Sequence, residues 1–152
     1  ADISQRNIGG GFQLIVQVMA LQNGQLWSSF GVMGGFMQPQ GHVQVLSAMI
    51  DDDLDPQSAL DRPRWCLDAL DIPPVYPPDA ENAEDAEVYV ALEEGIPVST
   101  MAGLADRGHR VRPVSGFARG IFGDGQIIRR NPETGVLFGG SDPRKDGLTA
   151  AF

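Results

Sequence analysis

The segment of this 152-residue chain with the most evident chemical use is Gly31-Val32-Met33-Gly34-Gly35, at the end of an apolar strand pattern and just before a helical one. Glycine at such a junction lets backbone N–H groups approach an anion, and a helix start adds positive potential. An oxyanion hole for acyl transfer needs donors of that kind, fixed before charge develops. The same glycines would serve a tight strand-to-helix connection with no ligand, and spacing alone leaves both readings open.

The other candidates are weaker. His42, in the first turn of the following helix, has the chemistry of a general base or metal ligand but no acid or second histidine beside it. His109 follows a glycine at a strand start, and two isolated histidines do not make a metal site. A packing role is expected for both. Ser28, Ser29 and Ser115 lack the Gly-x-Ser-x-Gly elbow of a nucleophile, though a Ser/His hydrolase built on His42 stands as a rival. Cys66 follows Trp65 in an apolar stretch and reads as a small buried hydrophobe. As the sole cysteine it excludes an internal disulfide. Gly9, Gly10 and Gly11 follow no strand and so complete no dinucleotide fingerprint. Asp51-Asp52-Asp53 lacks the spacing of a calcium loop.

The elements that must position these residues follow from periodicity and turn chemistry. Gln13 to Gln22 reads as a mostly buried strand, Asn23-Gly24 as a hairpin turn, and Gln25 to Phe30 as the return strand. From Pro39 to Ile50, Val43, Val45, Leu46, Met49 and Ile50 fit one helix face, stopped by the three aspartates. Asp55 caps a short helix with Pro56 at its first position, and Arg62-Pro63 ends it. Arg64 to Leu67 predicts a brief strand. Residues 68–87, with four prolines among acids, predict a mobile surface excursion. Glu87 to Leu92 predicts a strand, Pro97 to Arg107 a helix with Met101 and Leu104 inward, and Gly108 its stop. His109 to Val114, Gly125 to Arg130 and Val136 to Phe138 complete the strands. This order favours an α+β fold: an antiparallel sheet with helices packed on one face.

Composition narrows the function. Apolar residues make up 42% of the chain and charged residues 20%, which is globular rather than disordered. No run of 18 apolar residues exists to span a bilayer. The first residues lack the basic start and apolar stretch of a signal peptide, which leaves cytoplasm and periplasm both open if the chain is processed or truncated. Net charge is −9, and Cys66 to Glu94 holds nine acids and no Lys or Arg. That balance argues against nucleic acid as a partner, because phosphate binding needs cations.

Three segments together resemble the γ-glutamyltranspeptidase family. They are Phe30 to Val45 with its Gly34-Gly35 pair, Asp61-Arg62-Pro63-Arg64-Trp65, and Gly139 to Phe152 with its Ser141-Asp142-Pro143-Arg144. Glu93-Glu94-Gly95-Ile96-Pro97 and Arg107 to Val111 fit the same frame. The resemblance implies an N-terminal nucleophile hydrolase of αββα layering, with no cofactor. Such enzymes cut their own precursor to expose a threonine, whose α-amine serves as base. That threonine takes the glutamyl group from an amide such as glutathione and passes it to water or an amino acceptor. Gly34 and Gly35 match the positions whose amides hold the oxyanion. The chain starts at Ala1, and Thr100, Thr134 and Thr149 do not match the processing site. The expectation is therefore the C-terminal part of a small subunit, inactive alone and partnered by the rest of the enzyme. A non-catalytic binding or assembly module on the same scaffold is the alternative. Exposed sheet edges further predict a homo-oligomer for the chain by itself.

Overall fold

In the computed structural model, residues 17–69 and 88–150 are described. The strand residues before Gln17, the three-glycine run and residues 70–87 of the excursion predicted over 68–87 lie outside them, while its first two residues, Asp68 and Ala69, end a strand. β1 (Gln17–Gln22) and β2 (Gln25–Met33) form the hairpin, with Asn23 and Gly24 both at positive φ (53° and 76°), as an Asn-Gly turn requires. β2 runs three residues past the expected end and pairs antiparallel with β6 (Asp124–Arg130), which pairs antiparallel with β7 (Leu137–Ser141). The four-stranded order is β1-β2-β6-β7.

β3 (Trp65–Ala69), β4 (Val88–Glu93) and β5 (Val111–Val114) make a second sheet. β3 and β4 are antiparallel, but β4 and β5 are parallel, with α3 (Val98–Ala105) between them. Parallel neighbours need a crossover of this kind, and the strand-helix-strand order carried that signal. The antiparallel expectation thus holds for every pair but this one.

α1 (Met37–Ile50) and α2 (Pro56–Asp61) cover one face of the four-stranded sheet. Phe30, Val32 and Ile127 from the strands meet Val45, Ala48, Met49, Ala59 and Leu60 from the helices. The buried stripe of α1 runs Met37, Gly41, Val45, Ala48, Met49, so Val43 and Ile50 point outward, not into the expected apolar face. Asp55 caps α2 as expected, its carboxylate accepting from the amides of Gln57 and Ser58. A smaller cluster of Met37, Cys66, Ala91, Val114 and Phe122 ties the start of α1 to the second sheet. No helix among the described residues is long and apolar enough to cross a membrane.

Glutamines bind the layers where strands end in open edges. The Gln44 carboxamide accepts from the Trp65 amide (3.0 Å) and donates to the Trp65 carbonyl (2.9 Å). Gln40 does the same at Leu67, at 2.8 and 3.4 Å. Residues four apart on a helix rise about 6 Å, close to the roughly 6.6 Å between alternate strand residues, so α1 imitates a neighbouring strand. Gln57 pairs likewise with the amide and carbonyl of Ser141 on β7 (3.0 and 2.9 Å). At Trp65, Leu67 and Ser141 the edge amide and carbonyl groups are thereby satisfied. Replacing Gln44 by Leu should cost about 1–2 kcal/mol for two lost bonds. Faster amide exchange at Trp65, with Leu67 unchanged, is the readout; equal protection of Trp65 would refute it.

Candidate active site

The Gly34-Gly35 pair occupies the junction between β2 and α1. Gly34 has φ +138° and Gly35 φ +56°, conformations that side chains resist. A Cβ on Gly34 would lie 3.2 Å from Gly123 Cα and 3.3 Å from Met37 Cβ, whereas one on Gly35 would meet open space. The two carbonyls are used: the amide of Met37 donates to Gly34 (3.0 Å) and that of Gln38 to Gly35 (3.1 Å). Pro39 has no N–H. The amides of Met37 and Gln38 are thereby spent, and ahead of them stand those of Gly34, Gly35 and Phe36. Among the described residues none of the three donates to a protein acceptor. No acidic residue stands in the first turn of α1 to repel an anion.

This loop is braced from two sides. From the helix side, His42 Nε2 accepts from the Val32 amide at 2.9 Å, and the imidazole meets Phe30 edge-on at 5.8 Å between ring centroids. Gly41 lets Val32 press against the helix, since a Cβ there would fall 2.6 Å from Val32 Cγ1. From the sheet side, Gly123 abuts Met33, whose carbonyl oxygen leaves no room for a Cβ.

Behind Gly123 lies a buried ionic cluster. Arg64 is 2% exposed, and its guanidinium donates to the carbonyls of Phe122 (3.0 Å), Gly123 (3.2 Å) and Leu60 (3.3 Å) while pairing with Asp142 at 2.8 Å. The other Asp142 oxygen takes Arg144, at 3.0 Å. Arg144 forks onto Glu93, which also accepts from Arg119 (2.7 Å) and from the Arg64 amide (2.7 Å). Asp142 accepts the Gly125 amide as well (2.8 Å), and Gly125 is the register partner of Val32. Burial pushes the Glu93 carboxyl up, but the bonds from Arg144, Arg119 and the Arg64 amide outweigh it and hold it below its ordinary value.

Asp124, register partner of Met33, has the opposite character. Its Oδ1 is buried with no partner among the described residues. Burial, with Asp142 adding to it, raises its carboxyl against the pull of Lys145, Arg64 and Arg144.

The remaining sequence candidates are dispersed. Ser28 is buried and donates to the Ile128 carbonyl (3.1 Å), while the His42 Nε2 is taken by Val32, so the two do not form a nucleophile–base pair. Ser115 is exposed ahead of a 3-10 turn, and His109 is exposed after α3. Cys66 is buried, as expected. Thr100 lies on α3, Thr134 in the β6–β7 turn, and Thr149 packs over Gly139. No metal-binding group of His, Cys, Asp and Glu exists among the described residues. Sequence reasoning missed Arg64, Glu93, Asp142 and Arg144 as one unit. The signal was present, since each is a charged residue of a segment that carries the family resemblance.

A model of the family described as Gamma-glutamyltranspeptidase matches residues 12–152. The chain belongs to the γ-glutamyltranspeptidase family. It is 29% identical over 141 residues to the glutathione hydrolase-like YwrD proenzyme of Bacillus subtilis, covering 93% of this chain and 24% of that protein. The crystal structure of a cephalosporin acylase from Bacillus halodurans is similar at 44% identity and a TM-score of 0.70, over 86% of this chain and 21% of that one. A Helicobacter pylori γ-glutamyltranspeptidase shares the fold at 22% identity and a TM-score of 0.66, over 95% of this chain and 66% of that one. The chain spans about a quarter of the length of its curated relative from Bacillus subtilis.

Three outcomes are expected of this member of the γ-glutamyltranspeptidase family. Arg144→Met strands Glu93 and Asp142 and should lower unfolding free energy by about 3–5 kcal/mol in urea titrations; a loss below 1 kcal/mol would refute the cluster's role. Because the Glu93 carboxyl is held low, the stability it adds is present above its ordinary value of 4.5 and lost as pH falls through its folded value. Glu93→Gln should therefore flatten the acid limb of a stability–pH curve. Asp124 is the reverse: its raised carboxyl costs stability once ionised, so Asp124→Asn should melt higher at pH 7 and equally at pH 3, and a lower midpoint at pH 7 would contradict this.

Proposed function

We propose that this chain forms the oxyanion-binding part of an enzyme that cleaves γ-glutamyl amides such as glutathione and passes the glutamyl group to water or an amino acceptor. The observation that carries the proposal is the pair of Gly34 and Gly35 amides, at positive φ, donating to no acceptor among the described residues. In this reading a hydroxyl supplied by other polypeptide attacks the amide carbonyl, and the carbonyl oxygen becomes an oxyanion between the two N–H groups. Their donors cost no reorganisation as charge develops, which favours the tetrahedral intermediate over the substrate. Collapse expels the amine and leaves an acyl-enzyme; water or an amine then attacks the same carbonyl, and the oxyanion forms again at the same place.

The partner is the remainder of the enzyme, carrying the nucleophile and the groups that grip the glutamate. Two features support this. The face of the four-stranded sheet away from the helices exposes Met19, Ile128 and Leu137, and β1 offers an uncharged edge. Alone, the chain is expected to self-associate through such surfaces, which light scattering across dilution would report.

A second reading concerns the acyl group. The 44% identity to a cephalosporin acylase favours the same acyl-transfer chemistry on a cephalosporin amide. Assaying the full-length protein on γ-glutamyl-p-nitroanilide and on a cephalosporin amide separates the two. Gly34→Ala should lower kcat by on the order of 100-fold with little change in KM, because a Cβ at φ +138° against Gly123 and Met37 displaces the oxyanion donor. The isolated 152-residue chain should hydrolyse neither. Undiminished kcat in the variant, or hydrolysis by the isolated chain, would overturn the proposal.

A further inference from the structure

We propose that His42 is a positioning residue for the oxyanion loop: its Nε2 lone pair holds the Val32 amide and thereby sets where the Gly34 and Gly35 N–H groups point. The inference rests on the oxyanion reading above and extends it to a side chain that composition and spacing marked only for packing.

The Val32 amide lies one residue beyond the last described β1–β2 pair, Gln17 with Gly31, and it donates to His42 Nε2 at 2.9 Å. A backbone N–H can bond there only if Nε2 carries no proton, so the ring proton belongs on Nδ1. A buried amide left without an acceptor at this place would cost about 1–3 kcal/mol, and the strand end would be free to move. Packing fixes the ring itself. Phe30 meets it edge-on, with an interplanar angle of 87°. Gly41, the preceding residue, lets α1 settle onto Val32, as any side chain there would collide with Val32 Cγ1.

From Val32 the geometry is transmitted over two residues. Met33 is pressed against Gly123, and Gly34 is wedged between Gly123 and Met37, so little slack separates the imidazole from the first oxyanion donor. His42 bonds the strand at Val32, two residues before Gly34. It acts through Val32, and its effect should appear where the oxyanion exists, in the transition state rather than in substrate binding.

The test uses the full-length protein with His42→Leu, His42→Asn and His42→Gln. Gln places an acceptor at the reach of Nε2, whereas Asn falls short of it and Leu has none. His42→Leu and His42→Asn should lower kcat by roughly 10- to 100-fold, the scale of a slight misplacement of catalytic groups, with KM within about twofold. His42→Gln should recover most of that loss. Amide exchange at Val32 should quicken in the Leu and Asn variants and return in Gln, while Ile127 keeps its protection. Equal kcat in all variants, a rise in KM alone, or unchanged exchange at Val32 would overturn the proposal. Should the wild type turn over no amide at all, the oxyanion reading fails, and exchange at Val32, Gly34 and Gly35 still decides whether His42 holds the loop.

Discussion

The structure depends first on a balanced set of charges taken out of water. Arg64, Arg144 and Arg119 face Glu93, Asp142 and Glu94, and the side chains of Arg144, Glu93 and Asp142 are all but inaccessible. Isolated charges in such a place would be untenable, and even paired ones gain little over apolar packing unless their remaining hydrogen-bonding positions are filled. Here most are. Arg64 spends its terminal nitrogens on three carbonyls besides Asp142, Arg144 reaches the carbonyls of Leu60 and Arg62, and both carboxylates accept backbone amides as well. Such an arrangement favours specificity of form: its bonds tie together the α2–β3 corner, the end of β4, the start of β6 and the turn after β7.

That specificity has a direction. The carbonyls that Arg64 holds belong to Phe122 and Gly123, and the amide that Asp142 holds belongs to Gly125. Gly123 is the surface against which Met33 and Gly34 close, and Gly125 is opposite Val32. Segments distant in sequence therefore converge on the sheet side of the Gly34-Gly35 loop, while α1 braces its helix side through Gly41, His42 and Met37. A pair of amides can be preorganised only if its carbonyls, flanking residues and neighbouring strand have nowhere else to go. The glutamine bridges from α1 to β3 and from α2 to β7 serve the same end by fixing the helices to sheet edges that would otherwise be open.

Much of the fold was legible because it rests on local rules. Asn23-Gly24 dictated its turn, Asp55-Pro56 its helix start, and the strand and helix periods placed nearly every element within a few residues. What escaped rests on contacts across the chain. The outward turn of Val43 and Ile50 depends on which stripe of α1 the glycine at 41 draws onto the sheet, and an apolar pattern of that width permits more than one. The parallel pairing of β4 and β5 was implicit in a strand-helix-strand order but outweighed by the hairpins around it. At the site, Gly34 and Gly35 were visible as glycines before a helix, whereas the ionic cluster was not. Arg64 reads as the start of a brief strand, and Asp142 and Arg144 as members of a closing motif with no partner assigned. A buried charge in sequence looks like a surface charge until its partner, 78 residues away in the case of Arg64 and Asp142, is known.

The division of labour inside the loop also explains why two glycines are needed and why they are not equivalent. Gly34 is restricted on both counts, by φ and by the crowding of Gly123 and Met37, so it can be nothing else without moving its neighbours. Gly35 is restricted by φ alone and looks onto open space. One residue is fixed by what stands behind it, and the other keeps clear what stands in front. Open space over a positive-φ glycine whose amide lacks an acceptor is costly to maintain in a loop that serves only as a connection, since a type of turn with ordinary residues would satisfy the same chain path and its donors together. The loop thus has a rigid back and an open front, the form on which the proposed site for a transient negative charge relies.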